Sequence, residues 1–209
     1  MKQKGNTMGK GLLYVISGPS GAGKGTICKR VLEELDIDLS ISMTTRKPRE
    51  GEVDGVNYYF VTREEFQERI AADGFFEYAQ VYENFYGTPK QMVMEQLAKG
   101  RDVLLEIDTQ GALNVKKAYP EGVAIFLLPP SLEELRKRLT GRGTETPEAI
   151  ELRLSKTLNE ISCMTEYDYC VVNDDLDEAV DHVVSIMKAE HFKVSRGVHD
   201  LMKRYEEEK

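Results

Sequence analysis

The sequence predicts an α/β fold, a parallel sheet with helices on both faces, into which an antiparallel lobe is inserted. Short apolar runs alternate with helical patterns along most of the 209 residues, and this alternation is typical of a parallel sheet covered by helices. Between residues 40 and 88 the pattern changes to short extended pieces joined by turn residues, which indicates antiparallel pairing. A chain of this length holds one sizeable core rather than several independent domains.

Four apolar runs predict the buried strands of the parallel sheet. They lie at 12–17, 102–107, 123–128 and 169–172. The inserted lobe is expected to contain extended pieces at 40–45, 56–61 and 75–82, and one helix at 63–72. Helix starts are marked by two pairs with the spacing of a capping box and by two prolines that each follow a threonine. These residues are Thr62 with Glu65, Ser131 with Glu134, Thr88-Pro89 and Thr146-Pro147.

The composition disfavours some classes of partner. A formal net charge of −8 and a pI near 5.1 argue against binding to nucleic acid, which depends on neutralising phosphates. The longest apolar run, 123–128, is far shorter than the roughly 20 residues that cross a bilayer. Three cysteines, Cys28, Cys163 and Cys170, form neither a regular zinc pattern nor an even disulfide framework. We therefore expect a cytoplasmic protein that binds neither nucleic acid nor membranes.

The stretch GPSGAGKGT follows the first predicted strand and precedes a helical pattern. Gly18, four further residues, Gly23 and Lys24 form the pattern of a phosphate-binding loop, in which backbone N–H groups and a helix N-terminus surround an anion. A tight turn with a surface lysine is the alternative, but the strand before and the helix after favour a phosphate site. Because Gly25 follows the lysine and Thr26 comes one position later, we expect Mg²⁺ to be held mainly by phosphate oxygens and water.

A second cationic group lies in the inserted lobe. Arg46 and Arg49 are three residues apart in a loop marked by proline and glycine, and two guanidinium groups there would bind a second phosphate bidentately. Tyr58 and Tyr86 would add phenol donors. An ordinary solvated loop with packing tyrosines is the alternative interpretation of these residues.

Six segments, in order along the chain, resemble the guanylate kinase family of P-loop nucleoside monophosphate kinases, which transfer a phosphoryl group from ATP to GMP. The segments are GPSGAGKGT, TTRKPREGEVDGVNYYFV, FEYAQVYENFYGTP, EIDTQGA, FLLPPSLEELRKRLTGRGTET and VVNDDLDEA. They extend over residues 11–191, nearly the whole chain. The resemblance implies a P-loop NTPase-type core at 11–39, 91–136 and 158–191, a GMP-binding lobe at 40–90, a small helical lid at 137–157, and flanking tails at 1–10 and 192–209.

The resemblance also implies three sets of site residues. ATP would contact Asn173 and the phosphate loop, which is Gly18, Pro19, Ser20, Gly21, Ala22, Gly23, Lys24, Gly25 and Thr26. GMP would be held through its phosphate by Ser42, Arg46, Arg49, Tyr58 and Tyr86, with Glu52 nearby, and through its base by Glu77, Thr88 and Asp108. Catalysis, with Mg²⁺ as cofactor, would depend on Lys24, Arg49, Arg138, Arg142 and Arg153.

Guanine recognition by a carboxylate such as Glu77 is chemically reasonable. Guanine donates from N1–H and N2–H₂, whereas adenine presents a bare N1 acceptor at the same edge, and unpaired polar groups of this kind give discrimination of roughly 10⁴ or more. Glu52 is expected near the substrate phosphate, either in direct contact or orienting Arg49. Glu106 stands where the family commonly has an aspartate, and it either holds a metal-bound water or bonds to the phosphate loop.

Two other functions stay open. Guanylate-kinase-like domains without catalysis act as binding modules, and related kinases phosphorylate other nucleoside monophosphates such as AMP. The phosphate loop and the arginines of this chain favour a GMP kinase, with ATP and GMP as its small-molecule substrates. The sequence does not determine the oligomeric state, so a homo-oligomer stays open as well.

Overall fold

The computed structural model describes residues 10–141 and 147–208. Its strands are β1 (Leu13–Ser17), β2 (Asp38–Leu39), β3 (Met43–Thr44), β4 (Tyr59–Phe60), β5 (Phe75–Val81), β6 (Asn84–Pro89), β7 (Val103–Glu106), β8 (Val123–Leu128) and β9 (Tyr169–Val172). Its helices are α1 (Lys24–Glu34), α2 (Arg63–Ala71), α3 (Lys90–Ala98), α4 (Thr109–Ala118), α5 (Leu132–Gly141), α6 (Pro147–Ser162), α7 (Leu176–Glu190) and α8 (Val194–Glu207), and a short 3-10 helix at Cys163–Glu166 precedes β9.

Five parallel strands form the larger sheet, in the order β2-β7-β1-β8-β9. β1 lies in the middle, with Leu13 opposite Val103 of β7 and Tyr14 opposite Val123 of β8. These three strands are almost entirely buried, as their continuous apolar runs predict. The loop after β1 therefore leaves the centre of the sheet at the carboxyl ends of the strands, where open α/β sheets bind their ligands.

Helices cover both faces of this sheet, as the sequence predicts. Alternate residues of β1 point to opposite faces. Tyr14 and Ile16 join an apolar cluster with α1 and α7, whereas Leu13 and Val15 join a second cluster with α3 and α4. Each face of the sheet is thus packed against its own pair of helices, which confirms the predicted fold class.

Residues 40–90 contain a separate four-stranded sheet in the order β4-β3-β6-β5. Its apolar cluster consists of Met43, Phe66 and Phe75, and the ring of Phe66 on α2 stacks on Phe75 with 4.4 Å between centroids. The predicted antiparallel pairing holds for β6 with β3 and for β6 with β5. The sheet is nevertheless mixed, because β3 and β4 pair in parallel. The long connection between them, 45–58, returns the chain to the starting edge, as a parallel pair requires.

The ends of most predicted strands shift slightly. β8 and β9 have the predicted bounds, whereas β1 begins one residue late and β7 is one residue shorter at each end. The sequence does not predict β2 or β6. β2 is only two residues long, too short to show any periodicity, and β6 contains Gly87 and ends in Pro89, residue types that are unfavourable in strands.

The predicted helix starts are confirmed in part. Thr62 forms a complete capping box with Glu65. At α5 only half of the box forms: the N–H of Glu134 donates to Ser131 Oγ at 3.0 Å, while the Glu134 carboxylate pairs with an arginine one turn later. α3 begins one residue after Pro89, which is its N-cap, whereas α6 begins at Pro147 as predicted; Thr146 lies outside the described residues.

Residues 192–209, predicted as a flanking tail, contain α8, while most of the other predicted tail, 1–9, lies outside the described residues. All three cysteines are free. Within 10–141 and 147–208, no helix combines the length and the apolar character needed to cross a membrane.

Candidate active site

The loop between β1 and α1 leaves backbone N–H groups open at the start of the helix. Gly23 is the N-cap of α1, with a φ of 94°, and no side chain caps the helix there. The first turn contains no acidic residue, in contrast to α2, where Thr62 caps the helix and two glutamates follow. Unsatisfied N–H groups and the positive end of the helix dipole therefore meet at this loop, which is the geometry of an anion site.

Lys24 is the first residue of α1, and its side chain folds back over the loop. Its Nζ donates to the carbonyl oxygen of Gly18 at 2.6 Å and to that of Pro19 at 3.2 Å. Burial lowers the pKa of Lys24, and nearby carboxylates, above all Glu106, oppose this shift. The lysine is therefore held at the loop by carbonyl oxygens that phosphate oxygens can replace.

Three carboxylates act electrostatically on Lys24 from different elements: Glu106 at the end of β7, Asp108 before α4, and Glu160 on α6. Burial raises the pKa of Glu106, and Lys24 opposes this shift. The same two effects act on Glu160, whose pKa is also raised. Glu106 lies beside the loop, since a Cβ added to Gly25 would be 3.5 Å from its Oε1. The phosphate loop thus combines one partly buried lysine with three nearby carboxylates, of which Glu160 is partly buried and Glu106 and Asp108 are exposed.

A second group of polar side chains forms where the lobe meets the core. Glu77 and Thr88 are paired across β5 and β6, and the Thr88 hydroxyl donates to Glu77 Oε1 at 2.6 Å. Asp108 caps α4 by accepting from the N–H of Gly111 at 2.7 Å. A Cβ added to Gly111 would lie 3.2 Å from Glu77 Oε2 and 3.3 Å from Asp108 Oδ1. The two carboxylates therefore lie close to each other beside Gly111.

The electrostatics of this pocket favour a ligand that donates hydrogen bonds. Burial raises the pKa of Glu77, the Thr88 hydroxyl opposes the shift by donating to the carboxylate, and Asp108 adds to it. Glu77 is half-buried and Asp108 is exposed beside it, and two neighbouring carboxylates are stabilised by a ligand that brings N–H groups.

The cationic side of the lobe is organised around Arg46. Its two terminal nitrogens donate to the two carboxylate oxygens of Glu52, each at 2.9 Å. The N–H of Arg49 donates to the same carboxylate at 2.7 Å. These contacts, that of Arg46 first, lower the pKa of Glu52 to about 2. The rings of Tyr58 and Tyr86 meet edge to face at 5.9 Å, and the Arg46 guanidinium lies 5.5 Å from the centre of Tyr58.

Two helices that follow β8 contact the phosphate loop. Arg153 of α6 donates from Nη1 to the Ser20 hydroxyl at 2.6 Å. Arg138 of α5 donates from Nη2 to the backbone oxygen of Asn173 at 3.0 Å. The Asn173 side chain in turn donates to the Ala22 oxygen at 2.8 Å. Side chains from α5, α6 and the end of β9 therefore converge on one loop.

The comparisons with known proteins agree with this arrangement. A family model described as "Guanylate kinase" matches residues 10–190. The chain belongs to the guanylate kinase family. This match spans the phosphate loop, the carboxylate pocket and both helices α5 and α6, so all parts of the site fall within the family's region.

Similar proteins include members from several bacteria. The guanylate kinase of Clostridioides difficile (strain 630) is 56% identical over 200 residues, which cover 95% of this chain and 98% of that protein. The crystal structure of guanylate kinase from Anaplasma phagocytophilum is 37% identical, with a TM-score of 0.74 over 93% of this chain and 95% of that chain. The shikimate kinase of Bacteroides thetaiotaomicron, 17% identical with a TM-score of 0.51 over 85% of this chain and 98% of that chain, shares the fold alone.

Most of the predicted site residues lie in the three groups described above: the phosphate loop, the carboxylate pair of Glu77 and Asp108, and the side chains around Arg46. Glu52 pairs with the guanidinium of Arg46 and contacts only the backbone of Arg49, so its observed partner differs from the one the sequence suggests. Ser42 lies half-buried directly before β3, where its backbone oxygen accepts from the N–H of Tyr59. Thr26 is exposed on the first turn of α1.

Asn173, predicted to contact adenine, is 6% exposed, and its side chain supports the phosphate loop through Ala22; the contact with adenine stays a prediction. Arg142 lies outside the described residues, so its predicted place in the lid is not described.

Sequence reasoning misses two acidic residues of this guanylate kinase site. Glu160 acts electrostatically on Lys24 from α6. The sequence clue that could have identified it is helical spacing, because Glu160 lies seven residues, or about two turns, after Arg153 and therefore on the same face of the helix. Glu134 pairs with Arg138 at 3.0 Å, and its signal is the four-residue spacing of acid and base along α5.

Proposed function

We propose that this chain transfers the γ-phosphoryl group of ATP to GMP, giving ADP and GDP. The observation that carries the proposal is the carboxylate pocket of Glu77 and Asp108, with Thr88 donating to Glu77, in a molecule that also has an open phosphate loop with Lys24. An anion loop alone is common to many nucleotide-binding proteins. A paired acceptor site beside it selects guanine, and membership of the guanylate kinase family supports the same conclusion.

GMP is held at both ends. Its base donates from N1–H and N2–H₂ to the carboxylates of Glu77 and Asp108, an arrangement that adenine cannot match because its N1 is an acceptor. Its phosphate is bound by five side chains of the lobe. These are Arg46, Arg49, Tyr58, Tyr86 and Ser42. Glu52 keeps the Arg46 guanidinium in place, as the bidentate pair at 2.9 Å supports.

Phosphoryl transfer needs positioning and positive charge rather than covalent chemistry from the protein. A phosphate oxygen of GMP attacks the γ-phosphorus of ATP in line, so no side chain acts as nucleophile. Lys24 and the arginines of the lid surround the equatorial oxygens of the moving group. These arginines are Arg138, Arg142 and Arg153. Arg49, with its side chain exposed beside the lobe loop, approaches from the GMP side, and Asn173 lies at the adenine side.

Mg²⁺ is proposed as the cofactor that enters with ATP. Among residues 10–141 and 147–208, no group of three or more His, Cys, Asp or Glu side chains could hold a metal ion. Glu106, which lies beside the loop at Gly25, supplies an oxygen donor of the kind that suits Mg²⁺, an ion that keeps several waters and uses phosphate oxygens with one or two protein groups. Thr26 and Glu106 are the protein groups nearest to that role. When bound, the ion would supply positive charge at the phosphates of ATP.

The proposed domain arrangement follows the distribution of apolar side chains. The GMP-binding lobe, 40–90, has its own cluster around Phe66, and helices α5 and α6, which contain most of the lid at 137–157, share another. Closure of lobe and lid would exclude water that otherwise accepts the phosphoryl group. Three free cysteines suit the reducing cytoplasm as the place of action.

A coupled assay of ADP release tests the function. Purified protein with ATP, Mg²⁺ and GMP should release ADP, and chromatography should detect GDP in equal amount. AMP in place of GMP should give a far lower rate. Binding of GMP without ADP release would identify a binding module instead, and equal rates with AMP and GMP would overturn the assignment of the base pocket.

A further inference from the structure

Helix α5 carries two ion pairs of the same kind on different sides. Lys137 Nζ lies 3.0 Å from Glu133 Oε1, and both side chains are mostly exposed, at 65% and 77%. Arg138 Nε lies 3.0 Å from Glu134 Oε1, and these side chains are only 26% and 35% exposed. The first pair is an ordinary solvated helix pair, which contributes little. The second is turned towards the protein.

The inner pair connects the helix to the phosphate loop through hydrogen bonds of normal length. Arg138 Nη2 donates to the Asn173 oxygen at 3.0 Å, and Asn173 Nδ2 donates to the Ala22 oxygen at 2.8 Å. Asn173 is 6% exposed and Ala22 is fully buried. The Glu134 carboxylate is therefore the outermost member of a hydrogen-bonded series that ends at the backbone of the loop.

The position of α5 itself does not depend on this ion pair. Leu135 and Leu139 are fully buried, and a Cβ added to Gly21 would lie 2.7 Å from Leu135 Cδ1 and 3.3 Å from Leu139 Cδ2. The helix is thus packed directly against the loop by apolar side chains. What the Glu134 carboxylate controls is the direction of one guanidinium group.

The geometry of Arg138 leaves one terminal nitrogen for a ligand. Nε is held by Glu134 and Nη2 by the Asn173 oxygen, while Nη1 donates to no group within the part of the chain that the structure describes. A planar guanidinium held at two of its nitrogens has a fixed plane, so the direction of the third is fixed as well. A free arginine would first have to lose this rotational freedom on binding an anion.

We propose that Glu134 is a positioning residue for ATP: its carboxylate fixes the Arg138 guanidinium so that Nη2 holds Asn173 against the phosphate loop and Nη1 is directed at the phosphates of ATP. The inference rests on the proposed function, in which Arg138 contacts ATP. It adds a residue that itself touches neither substrate.

The test compares three variants by steady-state kinetics and by calorimetric titration with ATP and Mg²⁺. Glu134→Ala should lower kcat/KM for ATP and the affinity for ATP by about tenfold, the effect of losing one hydrogen bond to a charged group. The KM for GMP should stay within about twofold, because the GMP pocket is formed by other elements. Glu134→Gln retains an oxygen that accepts from Nε, so it should recover most of the loss. Glu133→Ala removes the exposed pair and should leave all values unchanged.

Three results would overturn the inference. Glu134→Ala could match Glu133→Ala in ATP affinity; Glu134→Gln could be as impaired as Glu134→Ala; or the KM values for ATP and GMP could rise together with a lower Tm, as a purely structural defect predicts. The titration with ATP does not require turnover. If the unchanged protein binds ATP but leaves GMP unphosphorylated, the proposed function fails while the comparison of ATP affinities still decides the role of Glu134.

Discussion

Burial sets the chemistry of the individual charged residues in this site. It raises the pKa of Glu77 and lowers that of Lys24, so both groups are pushed towards their neutral forms. Both are proposed to act in their charged forms, because Glu77 accepts hydrogen bonds from guanine and Lys24 neutralises phosphate. Neighbours supply the opposing effect: Thr88 donates to the Glu77 carboxylate, and Glu106 acts electrostatically on Lys24.

Glu77→Ala is expected to raise the KM for GMP about 100-fold or more and to reduce the preference for GMP over AMP, because guanine loses its paired acceptor. The kcat at saturating GMP should fall less. Steady-state kinetics with both nucleotides measure these effects. Glu83→Ala is the matched control, since Glu83 is exposed in the turn between β5 and β6. An unchanged KM for GMP in Glu77→Ala would show that the base binds elsewhere.

The acid limb of kcat/KM for GMP is expected above the ordinary glutamate pKa of 4.5, because burial raises the pKa of Glu77. As the pH falls through this raised pKa, Glu77 is protonated, can no longer accept both guanine hydrogens, and kcat/KM decreases. Thr88→Val should move the limb to higher pH, because the Thr88 hydroxyl lowers the pKa of Glu77 by donating to it. The phosphate of GMP titrates in the same way with the unchanged protein and with Thr88→Val, so it does not contribute to the difference between the two pH profiles. A limb that stays in place, or moves to lower pH, contradicts the assignment.

At the scale of elements, the site depends on the β1-loop-α1 unit and on the elements that support it from outside. The Asn173 side chain holds the Ala22 oxygen at 2.8 Å, and α5 packs Leu135 against Gly21. A side chain of α6 donates to the Ser20 hydroxyl. The loop therefore has the shape of an anion site because three other parts of the chain fix it, not through its glycines alone.

Gly23→Ala is expected to raise the KM for ATP about tenfold or more, through a lost hydrogen bond and backbone strain. Gly23 has a φ of +94°, and an added Cβ would lie 2.3 Å from Asn173 Nδ2, so the methyl group displaces the amide from Ala22. Calorimetry should show little change in GMP affinity. Gly55→Ala is the control, because its φ is +72° but its added Cβ meets a Tyr59 ring carbon only at 3.5 Å. Equal effects on ATP in both variants would show that strain alone is responsible.

At the scale of the whole molecule, the interior is divided among separate apolar clusters. Two clusters cover the two faces of the larger sheet. A third lies between α5 and α6, and a fourth fills the lobe. Parts with their own small cores open or move at lower free energy than the global unfolding of the molecule. This division supports the proposed motion of lobe and lid around a rigid sheet.

Phe66→Ala is expected to lower the free energy of unfolding of the lobe by about 3–5 kcal/mol, the usual cost of removing a buried aromatic side chain. Phe66 is fully buried and stacks on Phe75 and Phe85. Hydrogen exchange should therefore accelerate in 40–90 while the strands of the larger sheet stay protected. Phe126→Ala makes the same change in β8, where the side chain is also fully buried, and should accelerate exchange throughout. Loss of protection in the larger sheet of Phe66→Ala would show that lobe and core unfold together.

Much of the fold follows from local patterns in the sequence. The long apolar runs predict β8 and β9 with their observed bounds, because a strand buried on both faces has to be apolar throughout. The two-residue strand β2 and the strand β6, which contains Gly87 and ends in Pro89, carry no such signal. Pairing of β3 with β4 in parallel is equally invisible, because the direction of a pair depends on the path of the loop between the strands.

The sequence by itself determined the strand, the glycine loop and the helix around Lys24, since propensity and spacing act between neighbours along the chain. Only the tertiary structure decided that Glu52 pairs with the guanidinium of Arg46, and that Arg138 reaches Asn173, 35 residues away. Such contacts form where separately specified elements meet in space, and their partners are chosen by the packing of whole helices and strands. A sequence pattern within one segment cannot show which residues of another segment it will contact.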